Sequence, residues 1–129
     1  MNKFITARFE HYQQLLIQSP AIARYTVLKQ NVTRRDGRIR VRALLTDGGL
    51  LEFAEYIAVI EAQQTASHTY TFHWQNAQQQ LVRRWDNVNH FPTLPYTPHH
   101  IHQADETVIG NPHLPTLETV LAEIENSLA

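Results

Sequence analysis

Hydrophobic residues at the start of the chain recur with the period of an α-helix. They lie at positions i, i+4, i+7 and i+11 and would form one apolar stripe: Ile5, Phe9, Tyr12 and Leu16. Pro20 disfavours helical backbone at the residue before it, so the helix is expected to end at Ser19. The pattern predicts a helix over residues 4–18.

The hydrophobic period changes to two between Ile22 and Trp85, which is typical of β-strands. Runs rich in β-branched and aromatic residues predict strands at 22–33, 38–46, 50–60, 68–75 and 80–86. Asp36-Gly37 predicts a hairpin because a type I′ turn needs positive φ at both central residues, and Asp47-Gly48-Gly49 predicts a second turn. Because the connections are short, the strands should form an antiparallel meander. The strand at 80–86 could lie at a sheet edge and pair with a second copy of the chain as a homodimer.

The last third of the chain is predicted to be a loop followed by a helix. Residues 87–114 are rich in Pro and His and have no sustained period, which predicts a long loop. Helical spacing returns after the start signal Pro115-Thr116, in Leu117, Leu121, Ile124 and Leu128. Residues 1–129 are therefore predicted to form a single α+β domain, in which a curled antiparallel sheet of about five strands is flanked by an N-terminal and a C-terminal helix.

Composition narrows the classes of function. The 129 residues include 11 basic and 12 acidic side chains, for a formal charge of -1, which argues against a strongly basic nucleic-acid binder but permits a local basic face. Because there is no cysteine, disulfides, Cys-ligated metals and thiol nucleophiles are excluded. No apolar run approaches the roughly 20 residues that span a bilayer, and the first residues do not resemble a signal peptide. We expect a soluble cytoplasmic protein with no membrane contact.

A basic face is predicted on the first hairpin. With Asp36-Gly37 as the turn, residue 33 would pair with 40, and Ile39, Val41 and Leu45 would share the core face with Leu28 and Val32. Five cations would lie on the opposite face: Lys29, Arg35, Arg38, Arg40 and Arg42. Such a stripe favours contact with the phosphates of a nucleic acid. The alternative is a solvated face whose arginines pair with surface acids.

Glu55 has two possible environments, because the register after Asp47 is open. A two-residue turn would place Glu55 on the arginine face as an ion-paired carboxylate. A three-residue turn using Gly49 would bury Glu55 beside Phe53 in the core, with a raised pKa suited to a general base. An ordinary exposed glutamate is the third alternative.

Candidate acid–base residues concentrate in the second half of the chain, which holds most of the eight histidines. In the strand at 68–75, Tyr70, Phe72 and Trp74 should face the core and His73 the other side. Arg84 and Asp86 should share a side of the next strand, and His90 follows in the predicted loop. His100 and His102, at i and i+2, should also project together. They could transfer protons, bind zinc, nickel or copper with Asp86 or Asp105, or be ordinary loop residues.

Three sequence blocks resemble the TumE-like toxin family. They are Tyr70-x-Phe72-His73-Trp74-Gln75, Arg84-Trp85-Asp86-Asn87-x-x-His90 and Pro98-His99-His100-x-His102, and the resemblance covers roughly residues 20–125. It implies a toxin that is partnered by a helix-turn-helix antitoxin, and it does not supply a reaction.

The function predicted from these features is that of a toxin acting on RNA as a small ribonuclease that needs no metal or cofactor. Cleavage through the 2′-hydroxyl needs a base, an acid and cations that stabilise the developing charge. The candidate catalytic residues are Glu55, His73, Arg84, Asp86, His90, His100 and His102. The alternatives are a non-catalytic module that binds nucleic acid or protein, and a metal-dependent hydrolase built on the histidine loop.

Overall fold

A computed structural model describes residues 1–60, 64–88 and 91–129. The chain begins with helix α1 (Lys3–Gln18) and ends with helix α2 (Leu117–Leu128). The strands between them are β1 (Ile22–Val32), β2 (Asp36–Leu45), β3 (Leu50–Val59), β4 (Thr65–Gln75), β5 (Leu81–Asp86), β6 (His100–Gln103) and β7 (Val108–Gly110). Both helices agree with the sequence prediction. Neither helix of the described chain is long and apolar enough to cross a membrane.

The strands in the described residues form one seven-stranded antiparallel sheet in the order β1 to β7. The α+β class and the meander are therefore confirmed. The predicted loop at 87–114 was wrong where β6 and β7 lie, because strands of four and three residues are too short to show a period. The predicted edge position of 80–86 was also wrong, since β5 lies between β4 and β6.

The hydrophobic core lies between one face of the sheet and the two helices. The side chains of the apolar stripe that was predicted for α1 are all buried. Val41, Phe53 and Phe72, on successive strands, are buried too. We call this side of the sheet the helical face and the opposite side the open face. Consecutive side chains of a strand lie on opposite faces of the sheet. The residues on either side of Val41, Phe53 and Phe72 therefore lie on the open face.

The first hairpin does not turn at Asp36-Gly37, and this prediction was wrong. Val32 pairs with Gly37, and the turn is closed by the Thr33 hydroxyl, which accepts the backbone N–H of Asp36 at 3.1 Å. Gly37 instead permits close packing of helix and sheet, because a Cβ there would lie 2.5 Å from Cγ2 of Ile5. As a result, the register of β1 and β2 differs by four residues from the predicted one: Asn31 pairs with Arg38 rather than with Arg42.

A bulge in β1 overturns the predicted core position of Leu28. The register shifts between Val27, which pairs with Val41, and Lys29, which pairs with Arg40. Leu28 lies at this irregularity and is 43% exposed. The bulge leaves Lys29 beside Arg40 on the open face.

The second hairpin settles the side that Glu55 faces. The backbone N–H of Leu45 donates to the carbonyl of Gly49 at 2.9 Å, and Gly48 adopts a φ of 87° that favours glycine. Leu44 then pairs with Leu50. This register places Glu55 on the helical face beside Phe53. The three-residue alternative predicted that side correctly, although its pairing of Leu45 with Leu51 was wrong, because Leu51 pairs with Ala43.

Candidate functional site

Cross-strand pairing places five polar side chains in one row across the open face. Arg42 pairs with Glu52, Glu52 with His73, His73 with Arg84, and Arg84 with His102. Directly opposed residues of an antiparallel sheet project to the same side. We call Arg42, Glu52, His73, Arg84 and His102 the polar row. It joins three of the predicted catalytic residues, His73, Arg84 and His102, on three adjacent strands.

Asp86 lies beside the polar row and holds it together. Its Oδ1 lies 2.7 Å from Nε2 of His100, and its Oδ2 lies 3.0 Å from Nε of Arg84 and 3.6 Å from Nε2 of His102. The backbone N–H of Val88 also donates to Oδ1, at 3.1 Å. The side chain of Asp86 is only 3% exposed, so these charge-assisted contacts are formed away from water.

His100 is fixed from both sides of its ring. Nδ1 lies 2.9 Å from the carbonyl oxygen of Pro98, while Nε2 faces Asp86. Both partners are acceptors, so the ring is held from two sides. Asp86 and His100 therefore form a buried pair in close contact, which orients the more exposed Arg84 and His102.

His102 is the half-buried member of this cluster. Burial lowers its pKa below the usual value of 6.5, and the positive charges of His100, Arg84 and His73 act in the same direction, while Asp86 opposes them. Its ring packs edge-on against Phe91 and against His100. A lowered pKa keeps the imidazole neutral near pH 7, in the form that accepts a proton.

The predicted basic face is present on the open side, with one exception. Lys29, Arg38, Arg40 and Arg42 are exposed on that side, whereas Arg35 lies in the turn before β2. Glu52 pairs with Arg40 at 2.7 Å and with Arg42 at 3.5 Å. A groove of about 450 Å³ runs along this part of the sheet and is lined by residues that include Arg40, Thr71, His73 and Arg84. The groove brings the basic face and the polar row together.

Glu55 is separated from these residues by the sheet. On the helical face it accepts a bidentate ion pair from Arg8, through Nε at 2.8 Å and Nη2 at 3.0 Å. The hydroxyl of Tyr12 donates at 2.7 Å, and Nε2 of His68 lies 2.8 Å from Oε2. Burial favours a raised pKa, but the hydrogen bonds of His68, Arg8 and Tyr12 and the charge of Arg8 outweigh it and lower the pKa to about 2. The expectation of a raised pKa was therefore wrong.

The remaining histidine and metal predictions have mixed outcomes. His90 lies outside the described residues. Asp86, His100 and His102 offer ligand atoms that all lie within 4.8 Å of one another, so they could hold a divalent metal ion. Asp105 does not join them in that cluster, since its carboxylate accepts the backbone N–H and the hydroxyl of Thr107.

Comparison with known proteins identifies the family. The family model described as Toxin TumE matches residues 12–128. The chain belongs to the Toxin TumE family. No match is found among curated proteins or among solved structures. The TumE match contains the whole polar row together with Asp86 and His100, and the family name indicates a toxin.

Sequence reasoning missed several residues that shape this TumE protein. Glu52 is the glutamate of the arginine face, and period-two alternation would have placed it there once Phe53 was assigned to the core. The same alternation would have placed Tyr56 on that face. Arg8 and Tyr12 carried no signal as partners of Glu55, because 47 and 43 residues separate them from it along the chain.

Proposed function

We propose that this TumE-family toxin is a ribonuclease that cleaves RNA through its 2′-hydroxyl without a metal ion. The observation that carries the proposal is that His73 and His102 flank Arg84 on three adjacent strands of the open face. Two imidazoles on either side of a guanidinium provide a base, an acid and a cation for one phosphodiester.

The spacing of the row suits this chemistry. Neighbouring strands lie about 4.8 Å apart, so the backbones of His73 and His102 are separated by about 10 Å, with Arg84 between them. A phosphate bound at Arg84 would have one imidazole towards its 2′-oxygen and the other towards its leaving 5′-oxygen. Further cations, Arg40 and Arg42, lie along the same face and can bind neighbouring phosphates.

The roles follow from the surroundings of each group. His102, kept neutral by its lowered pKa, takes the proton of the 2′-hydroxyl as the 2′-oxygen attacks phosphorus. Arg84 donates to the non-bridging oxygens, where negative charge develops. The bond to the 5′-oxygen breaks as protonated His73 gives that oxygen a proton. The products are a 2′,3′-cyclic phosphate and a 5′-hydroxyl end, while Asp86 and His100 keep Arg84 in position.

The experiment is incubation of purified protein with total RNA in EDTA, followed by analysis of the new ends. We expect cleavage with cyclic phosphate termini, and no cleavage where the attacking 2′-hydroxyl is replaced by hydrogen. Loss of either imidazole in His73→Gln or His102→Gln should lower kcat by about 10²-fold or more. His113→Gln, at an exposed histidine outside the row, is the matched control. RNA that stays intact over a wide range of protein concentration, while expression of the same protein arrests cell growth, would contradict the ribonuclease activity. The assignment as a toxin would remain.

A metal-dependent hydrolase is the second candidate, and the triad of Asp86, His100 and His102 favours it. Against it, the guanidinium of Arg84 already neutralises the carboxylate that would bind the ion. Elemental analysis of untagged protein, together with activity before and after EDTA, separates the two candidates. One metal per chain and loss of activity in EDTA would select the hydrolase.

An antitoxin partner of the helix-turn-helix class would neutralise the toxin most simply by covering the open face. The basic face and the polar row support this placement because both are accessible and carry the proposed chemistry. The expected result is that the antitoxin protects Arg38 and Arg40 from chemical modification in the complex. A complex that leaves the open face exposed to solvent contradicts this placement.

A further inference from the structure

A second groove continues the open face beyond the polar row. It has a volume of about 510 Å³, and its lining includes Lys29, Arg38, Tyr56, Thr69 and Val88. It shares Arg40, Ala54 and Thr71 with the groove that contains His73 and Arg84. The two grooves therefore form one continuous surface from β1 to β5.

We propose that the second groove is a nucleotide subsite for single-stranded RNA, which holds a base and a phosphate a few nucleotides away from the bond that is cut. The position of that bond rests on the proposed function. The chemistry of the groove stands on its own residues, namely the ring of Tyr56, the plane of Arg38 and the charges of Arg38 and Lys29.

The groove contains a preformed stacking platform. The guanidinium of Arg38 lies over the ring of Tyr56, with its central carbon 5.2 Å from the ring centroid. The hydroxyl of Tyr56 donates to Oδ2 of Asp36 at 3.0 Å, which fixes the ring on the sheet. Exposed bases stack on aromatic rings and on arginine planes in single-stranded RNA recognition, with little dependence on sequence.

The cations of the groove are less compensated than those near the polar row, although the charge of Asp36 acts on Arg38. Glu52 compensates Arg40 and Arg42 near the polar row. In the described part of the chain, by contrast, neither Lys29 nor Arg38 forms an ion pair with a carboxylate. These two cations lie on β1 and β2, whereas Arg84 lies on β5. Arg84 is level with Arg42, four residues beyond Arg38 on β2, so it lies about 14 Å from Arg38 across the strands and about 13 Å from it along them. Such separation suits phosphates that are a few nucleotides apart on one extended strand.

The preference for a single strand follows from the platform. In an RNA duplex the flat faces of the bases are covered by their stacked neighbours, so a ring and a guanidinium on a sheet cannot reach them. In a single strand a base can rotate away from its neighbours and lie on Arg38 and Tyr56 while the backbone follows the cations.

The test measures binding separately from cleavage. A fluorescein-labelled single-stranded oligonucleotide of 2′-deoxy sugars lacks the attacking hydroxyl, and its affinity is measured by fluorescence anisotropy with the full-length protein. We expect Tyr56→Leu to weaken binding about tenfold, whereas Tyr56→Phe, which keeps the ring, stays within about twofold. Arg38→Ala should weaken binding and reduce the slope of log K against log salt by about 0.7. Lys3→Ala, which removes an exposed cation on α1, is the charge control.

The outcomes distinguish the subsite from the ribonuclease. If oligonucleotide binding depends on Tyr56 but RNA stays intact, the ribonuclease proposal is contradicted and the subsite proposal stands. If folded Tyr56→Leu cleaves RNA with an unchanged KM, the subsite proposal is contradicted and the ribonuclease proposal stands. A duplex of the same sequence that binds as tightly as the single strand also overturns the subsite. Circular dichroism and thermal unfolding establish that Tyr56→Leu is folded.

Discussion

Arg8 and Glu55 form a bidentate ion pair that fixes helix α1 on strand β3. Their two contacts measure 2.8 and 3.0 Å, and the Glu55 side chain is only 5% exposed. Tyr12, one turn further along α1, donates to the same carboxylate. Because all three groups are on the helical face, we interpret this network as part of the stability of the fold, separate from the chemistry proposed for the open face.

Stability should therefore fall steeply in acid. The pKa of Glu55 is lowered to about 2 in the folded protein from a model-compound value of 4.5. A group whose pKa is lowered by folding stabilises the fold when the pH is above the pKa of the unfolded state, and this stabilisation disappears as the pH falls towards 2. About 3 kcal/mol of the free energy of unfolding at neutral pH is therefore lost between pH 4.5 and pH 2. We expect Glu55→Gln to be less stable at pH 7 and to show a flatter dependence on pH, measured by urea unfolding from pH 7 to 2. Glu10→Gln, on the exposed side of α1, is the control. Parallel curves for Glu55→Gln and the wild type would contradict the assignment.

Sequence patterns predicted what depends on local periodicity. The stripe from Ile5 to Leu16 and the alternation around Phe72 identified the two layers, and Thr116 was recognised as the start of α2, where its hydroxyl accepts the N–H of Thr119. Patterns failed where a distant contact decides. Gly37 read as a turn residue because nothing local shows that Ile5 packs against it.

The sides of the strands on which the candidate residues lie were more predictable than the contacts between them. Alternation correctly placed Arg84 with Asp86, and His100 with His102, on shared sides. It could not show that β6 pairs with β5, which is what brings His100 to Asp86, because strand pairing between such short segments is set by tertiary packing. The side of Glu55 depended on a slip of one residue in a turn, which no local pattern determines.

The packing of Gly37 can be tested by adding one methyl group. Gly37→Ala would place a Cβ 2.5 Å from Cγ2 of Ile5 and 3.1 Å from Cε2 of Phe9, which forces α1 away from β2. We expect a loss of about 1–3 kcal/mol in the free energy of unfolding, as for other overpacked cores. If Gly37 were needed for a turn instead, an asparagine there would be tolerated, so a folded Gly37→Asn protein of wild-type stability would contradict the packing role.

The buried pair of Asp86 and His100 should be strongly coupled. Asp86→Asn removes the buried carboxylate that contacts the guanidinium of Arg84 at 3.0 Å and the ring of His100, which is 2% exposed, and this should cost about 3 kcal/mol or more. Combining it with His100→Gln should cost clearly less than the sum of the two single variants, as measured by a double-mutant cycle in urea. Additive losses would show that the two side chains are not coupled.

The last prediction separates the charge of Arg84 from its shape. Arg84→Lys keeps a positive charge in the row, but a lysine cannot hold Asp86 through Nε while directing a planar fork at a phosphate. We expect kcat for RNA cleavage to fall about 10²-fold, since charge stabilisation in the transition state needs the fixed donors, while KM changes less than about threefold because the other cations still attract the substrate. The neighbouring Arg83 lies on the helical side, paired with Glu123, so Arg83→Lys is a matched control that should leave kcat unchanged. Equal kcat values for Arg84→Lys and the wild type would mean that Arg84 contributes only its charge, and the positioning role of Asp86 would fail with it.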